Sequence, residues 1–199
     1  MSRSPWPMRW IVVAIIAFIV PYTYLTLRYR KPTSFDPYED ARERKHIASV
    51  GYTRYSVPVS RVTETSHLSI EASAPVAAVP GGLPLDLATE LIRKPRLAAS
   101  IEDVRAAQSA DAQHDYLVRF HCSLPAPTDS WSLAGAHVYR KDHGLFVVVD
   151  FAPLADGLSQ RVAVDRLEVP LPIASIDPGA YQVTLIGKRT SRAWTLQVH

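Results

Sequence analysis

Cysteine is almost missing from this chain. Cys122 is the only one in 199 residues, which excludes an internal disulfide. That fits a cytoplasmic domain, or an exported one held together by its core alone. Metal-ligand spacing is missing too. His114, His137 and His143 form no His-x-x-x-His pair, and the only methionines, soft ligands for copper, are Met1 and Met8. There is no Gly-x-Ser-x-Gly elbow and no phosphate loop, since Gly81-Gly82 stands among prolines. No catalytic, metal or cofactor site is expected. The one pair that invites a test is Cys122 beside His121, as the nucleophile and base of a hydrolase. Adjacent strand residues face opposite ways, and apolar surroundings disfavour a thiolate, so Cys122 reads as structural.

Acid is missing from the first 31 residues, which hold Arg3, Arg9, Arg28, Arg30 and Lys31. The remaining 17 of the 22 basic residues face all 19 acids, a net of −2. The sequence pI of about 9.1 is thus a property of one end. Nucleic-acid binding needs a clustered basic face, so that role is excluded.

What the chain does have is one long apolar run, Trp10 to Leu27, without a charged residue. Eighteen helical residues rise roughly 27 Å, close to the thickness of a bilayer's hydrocarbon core. Trp6 and Trp10 at one end, with Tyr22, Tyr24 and Tyr29 at the other, suit two headgroup layers. Pro21-Tyr22-Thr23-Tyr24 offers no small-x-small cleavage site. The run therefore predicts a single transmembrane helix over residues 10–27, after a tail at 1–9. Arg28, Arg30 and Lys31 would then lie against lipid headgroups. A large domain can cross whatever the nearby charges, so the expected location is the bacterial inner membrane, with a periplasmic C-terminal domain.

A basic segment and a polar helix follow, over residues 28–51. Asp36 can cap that helix, Pro37 suits its first position, and Glu39 can reach back, with a stop near Ser49 and Gly51. Its apolar positions are only Tyr38, Ala41 and Ile47. A helix with so little to bury is either a solvated stalk or a docking surface for a membrane partner, and the docking candidates are Glu39, Asp40, Arg42, Glu43 and Arg44. Residues 52–100 read as stalk or edge strands, Tyr52–Val62 and His67–Ala72, then a proline-rich connection holding a short helix from Asp86 to Lys94.

From Ile101 onward the chain reads as strands. Tyr116, Val118, Phe120 and Cys122 share one face, Leu145–Val149 is continuously apolar, and Tyr181, Val183 and Leu185 alternate with polar residues. Val162 and Val164 are out of phase with Leu167 and Val169, which predicts a break near Asp165-Arg166. Trp194, Leu196 and Val198 close a hairpin that turns through Gly187–Ser191. Short strands at this spacing predict an antiparallel sandwich.

The stretch Asp177-Pro178-Gly179-Ala180-Tyr181-Gln182-Val183 resembles the Asp-x-Gly-x-Tyr-x-Cys motif of immunoglobulin-like domains. The resemblance covers about residues 101–199. It implies a β-sandwich in which the Tyr181 hydroxyl returns to nearby backbone. Val183 then stands where such domains carry their second cysteine, Cys122 is placed for the first, and Trp131 is the nearest counterpart of the core tryptophan. It implies no activity.

The expected molecule is thus mainly β: a single transmembrane helix, a short polar helix and an antiparallel immunoglobulin-like sandwich. The expected role is non-enzymatic, as an accessory subunit or assembly factor of a bacterial membrane complex. The alternatives are an envelope-polymer or carbohydrate binder using Trp131 or Trp194, and a Cys- or His-dependent hydrolase. Lys188, Arg189 and Arg192 form a basic hairpin tip that could contact an acidic partner.

Overall fold

The computed structural model describes residues 8–29, 37–62, 73–111, 116–124, 130–154, 158 and 166–199. It divides into two compact units, Met1–Pro37 and Tyr38–His199.

The first unit holds one helix, α1 (Met8–Tyr29), with Pro21 inside it. The expected transmembrane helix is not upheld. Among the described residues, no helix is long and apolar enough to cross a membrane. The apolar character of α1 is diluted in its second half, where Pro21 breaks the backbone hydrogen-bond ladder and Tyr22, Thr23 and Tyr24 carry hydroxyls.

In the second unit, α2 (Pro37–Ser49) comes first. Glu39 and Asp40 in its first turn complement the helix dipole. Gly51 ends it with φ +86°, while the Gly51 and Tyr52 amides donate to Ala48 and Ile47 carbonyls at 3.1 and 3.0 Å. The strands are β1 (Thr53–Val57), β2 (Ser60–Arg61), β3 (Ala77–Pro80), β4 (Ser100–Arg105), β5 (Ser109–Ala110), β6 (Tyr116–Ser123), β7 (Trp131–Lys141), β8 (Gly144–Pro153), β9 (Arg166–Leu171), β10 (Gly179–Leu185) and β11 (Thr190–Val198). A one-and-a-half-turn helix, α3 (Leu85–Glu90), precedes β4.

All the strands among the described residues belong to one sheet, in the order β1-β7-β8-β10-β11-β4-β6-β9-β2, with β3 and β5 also pairing β11. This corrects the expected antiparallel sandwich. The sheet is mixed: β8 runs parallel to β10, with Leu145 opposite Val183, and β11 runs parallel to β4 and β5. The physical reason is the route of the chain. After β8 it crosses to β9, beside β6, and returns to β10 in the direction of β8. A hairpin-only reading of alternating strands does not contain that crossing.

The sheet also curls. β1 and β2 lie at opposite ends of the strand order, yet only Pro58 and Val59 separate them. So short a link spans roughly 10 Å, so the two ends of the sheet must meet. Tyr55 of β1 reaches across the join to the Ser175 carbonyl at 3.4 Å.

Curling makes an inside and an outside. Inside, Val118, Phe120, Cys122, Val138, Leu145, Val147, Leu167, Val169, Val183, Trp194 and Leu196 form the main core. Outside, α2 and α3 cover one stretch of sheet and bury Ile47, Tyr52, Leu87, Leu91, Tyr139, Val148 and Ile186. β8 serves both cores, Leu145, Val147 and Val149 inward and Phe146 and Val148 outward. That is why its apolar run has no alternation. The expected break near Asp165 and the strand at His67–Ala72 lie outside the described residues.

The motif around Tyr181 behaves as the resemblance implies. Its hydroxyl donates to the Asp177 carbonyl at 2.9 Å, and Val183 and Cys122 both lie in the main core. The buried tryptophan is Trp194, 2% exposed, and not Trp131, which begins β7 half-buried. Trp194 donates its indole N–H to the Tyr116 hydroxyl at 3.1 Å, and that hydroxyl donates to the Ala107 carbonyl at 2.6 Å. Burial pushes the Tyr116 pKa up to about 12.

Candidate functional site: a buried ion cluster under α2

The face of α2 that meets the sheet carries acids where a helix normally carries aliphatic residues. Asp40, Glu43 and Ile47 fall at helical spacing, three and four apart, and so share one side. Ile47 is 1% exposed and Glu43 9%. The two carboxylates converge on Arg54 of β1, with Arg54 Nη1 at 2.9 Å from Asp40 Oδ1 and 3.0 Å from Glu43 Oε1. All three side chains are nearly closed off from solvent, at 10–12% exposure. Ions this enclosed are costly unless paired and hydrogen-bonded, and here each is. Glu43 Oε2 also accepts from the Arg93 amide at 3.2 Å, and Arg44 pairs with Asp40 one turn away.

Sheet register supplies the rest of the cluster. Arg54 lies opposite Tyr139 and Ser56 opposite His137, so alternate residues of β1 and β7 present all four side chains beneath α2. Arg54 Nη2 lies 3.2 Å from His137 Nε2, and Ser56 Oγ 3.3 Å from Nδ1. A guanidinium can only donate, so Nε2 must accept, which fixes His137 as the neutral ring protonated at Nδ1. Burial, followed by the nearby Arg54 charge, lowers the His137 pKa to about 4. Burial likewise raises Tyr139 above the ordinary tyrosine range. Among the described residues, Arg54 Nε is the one buried side-chain donor with no acceptor.

A second polar seam flanks the cluster. Tyr52 donates to Asp86 Oδ1 at 3.0 Å, and Lys141 Nζ to Asp86 Oδ2 at 2.6 Å. The Lys141 ammonium sits 4.8 Å from the centre of the Tyr52 ring. The hydrogen bond from Lys141 holds Asp86 below the usual carboxylate range. His46 Nδ1 lies 3.4 Å from Glu90 of α3.

The residues singled out for docking therefore divide. Asp40 and Glu43 face inward, whereas Glu39, Arg42 and Arg44 are exposed with Lys45, Glu39 lying 3.9 Å from Arg93 and Arg44 paired with Asp40. Arg54 and His137, which complete the cluster, carry no spacing signal, since the fold brings them together across 83 residues. The one legible hint was the helical spacing of Asp40, Glu43 and Ile47. Of the proposed lipid contacts, the Arg28 side chain, Arg30 and Lys31 lie outside the described residues.

The basic hairpin tip also divides. Lys188 and Arg189 are exposed, with amides bound to the Ala98 and Ala99 carbonyls, while Arg192 Nε donates to the Ile101 carbonyl at 2.9 Å. Cys122 is 6% exposed in the main core, and His121 alternates to the opposite face of β6. His143 lies exposed in the β7–β8 turn, and His114 lies outside the described residues. Among the described residues, no three His, Cys, Asp or Glu side chains gather as a metal site would need.

The fold and cluster thus define a mainly β protein on one curled mixed sheet, with a polar helix fixed to it by enclosed ion pairs. The chain matches no protein-family model, no curated protein and no solved structure.

Proposed function

We propose that the protein is a non-enzymatic accessory subunit or assembly factor of a membrane-associated complex, and that it docks through the outer side of α2. The observation that carries this reading is that α2, polar as it is, is tied to the sheet by enclosed ion pairs. Two of its acids are turned inward on Arg54, which leaves Arg42 and Lys45 on the outer side, with Glu39 beside Arg93 and Arg44 beside Asp40 at its edges. Charged residues held in place favour register and partner choice over raw affinity. The exposed apolar side chains of α1, among them Val12, Ile16 and Phe18, supply the kind of surface that a larger assembly covers. Of the two tryptophans that a carbohydrate-binding alternative would use, Trp194 is buried and Trp131 is half-buried.

The test is co-purification of the tagged full-length chain from native membranes in mild detergent. The wild type should bring down stoichiometric partner subunits. Arg42→Glu with Lys45→Glu should lose them while keeping its thermal unfolding unchanged. Equal recovery by both proteins would dismiss docking through α2.

A further inference from the structure

We propose that His137 is a proton-operated latch for α2: its neutral ring accepts from Arg54 and lets Arg54 hold Asp40 and Glu43, and a proton on Nε2 ends that arrangement and frees the helix from the sheet. The inference rests on the reading of α2 as the docking element, and adds its control by pH.

The geometry leaves the ring little room. Nε2 faces the Arg54 guanidinium at 3.2 Å. A proton there replaces an acceptor with a second donor, and a hydrogen bond with two like charges in contact. Every charged group around the ring takes part. From α2 come Asp40, Glu43 and Arg44, of which Asp40 favours the charged ring and Arg44 opposes it. From β1 come Arg54 and Ser56. From β7 comes Tyr139, its ring 6.3 Å from that of His137. From the segment after α3 comes the Arg93 amide, on Glu43. Arg54 is the nearest, and it is positive. It cannot swing away without abandoning Asp40 and Glu43, so ring protonation and helix release are one event.

The sign follows from linkage. The closed state holds the ring near pKa 4, and a freed helix returns it to the ordinary histidine value of about 6.5. The open state therefore binds more protons, and opening becomes easier as pH falls below about 6.5. With those two values, the open fraction rises about tenfold between pH 7 and about pH 5.5. Ordinary carboxylates are still largely ionised at that pH, and His46 of α2, beside Glu90, is common to wild type and variant, so the difference between the two proteins reports the His137 ring.

The experiment is amide hydrogen exchange of the full chain, reading residues 43–49 as protection factors corrected for intrinsic exchange. Wild type should lose about tenfold in protection over this range. His137→Gln, whose amide oxygen still accepts from Arg54 but cannot charge, should change less than about twofold. A flat wild-type profile overturns the latch, as does an equal loss in the variant. If the variant fails to fold, the wild-type ring is followed by NMR. A ring neutral at pH 5.5 wherever α2 stays protected supports the latch, and one already charged over an unchanged α2 overturns it. The readout needs no partner, so it stands or falls apart from the co-purification result.

Discussion

Arg54 shows how one side chain can decide the seating of a whole element. It meets two carboxylates, a histidine and the underside of a helix, yet nothing in its own stretch, Thr53-Arg54-Tyr55, marks it out. Enclosed ion pairs are weak evidence for stability, because desolvation offsets much of their attraction. Breaking one is different, since the partner is left charged and unpaired. Arg54→Met should therefore destabilise the domain by about 3 kcal/mol, with Asp40 and Glu43 facing each other across the gap. Arg42→Met, on the exposed side of the same helix, should cost less than about 0.5 kcal/mol. Urea unfolding followed by far-UV circular dichroism measures both. Similar midpoints for the two variants would mean that the cluster contributes nothing net. The sequence could not show Arg54 or His137 as partners, because contact across 83 residues leaves no local pattern. Tyr181 was legible for the opposite reason. Its acceptor lies four residues away, inside the motif.

At the scale of elements, legibility tracked whether a face was apolar. β6 and β10 bury alternate residues, and their alternation was readable. β7 was not: Ser132, Ala134, Gly135 and His137 dilute its pattern, although it is an eleven-residue strand between β1 and β8. α2 was legible by its ends and illegible by its face, since two of its inward residues are acids. Its C-terminal stop shows what the ends contribute. Gly51 sits in the left-handed region with open space around it, the nearest atom to an added Cβ being Lys141 Cε at 3.9 Å. Gly51→Ala should then cost only the backbone term, about 1 kcal/mol. Gly187, in the β10–β11 hairpin, is constrained by contact instead. A Cβ there would meet the Thr190 carbonyl oxygen at 2.2 Å. Gly187→Ala should displace the hairpin and lower the melting temperature much further than Gly51→Ala. Equal losses in calorimetry would show that the hairpin backbone gives way freely.

For the whole molecule, the decisive fact is where burial lies. Every buried apolar residue among those described falls between Ile47 and Val198. Both clusters, inside the curl and beneath α2 and α3, are assembled from that stretch alone. The sheet needs no strand from elsewhere, because β1 and β2 close it through Pro58-Val59. A chain of this size buries enough of its surface to fold as one domain. The side chains described in α1, by contrast, are exposed along its length, Phe18 at 74%. A protein restricted to residues 37–199 should therefore fold and unfold cooperatively, with a melting temperature within about 3 °C of the full chain. It should also associate less with itself in sedimentation, since the largest exposed apolar surface has been removed. A drop of 10 °C or more, far beyond what about 1 kcal/mol moves a domain of this size, would mean that residues before 37 contribute to the core. In that event α1 belongs to the stability of the sheet, and its apolar side chains could no longer be assigned to a partner.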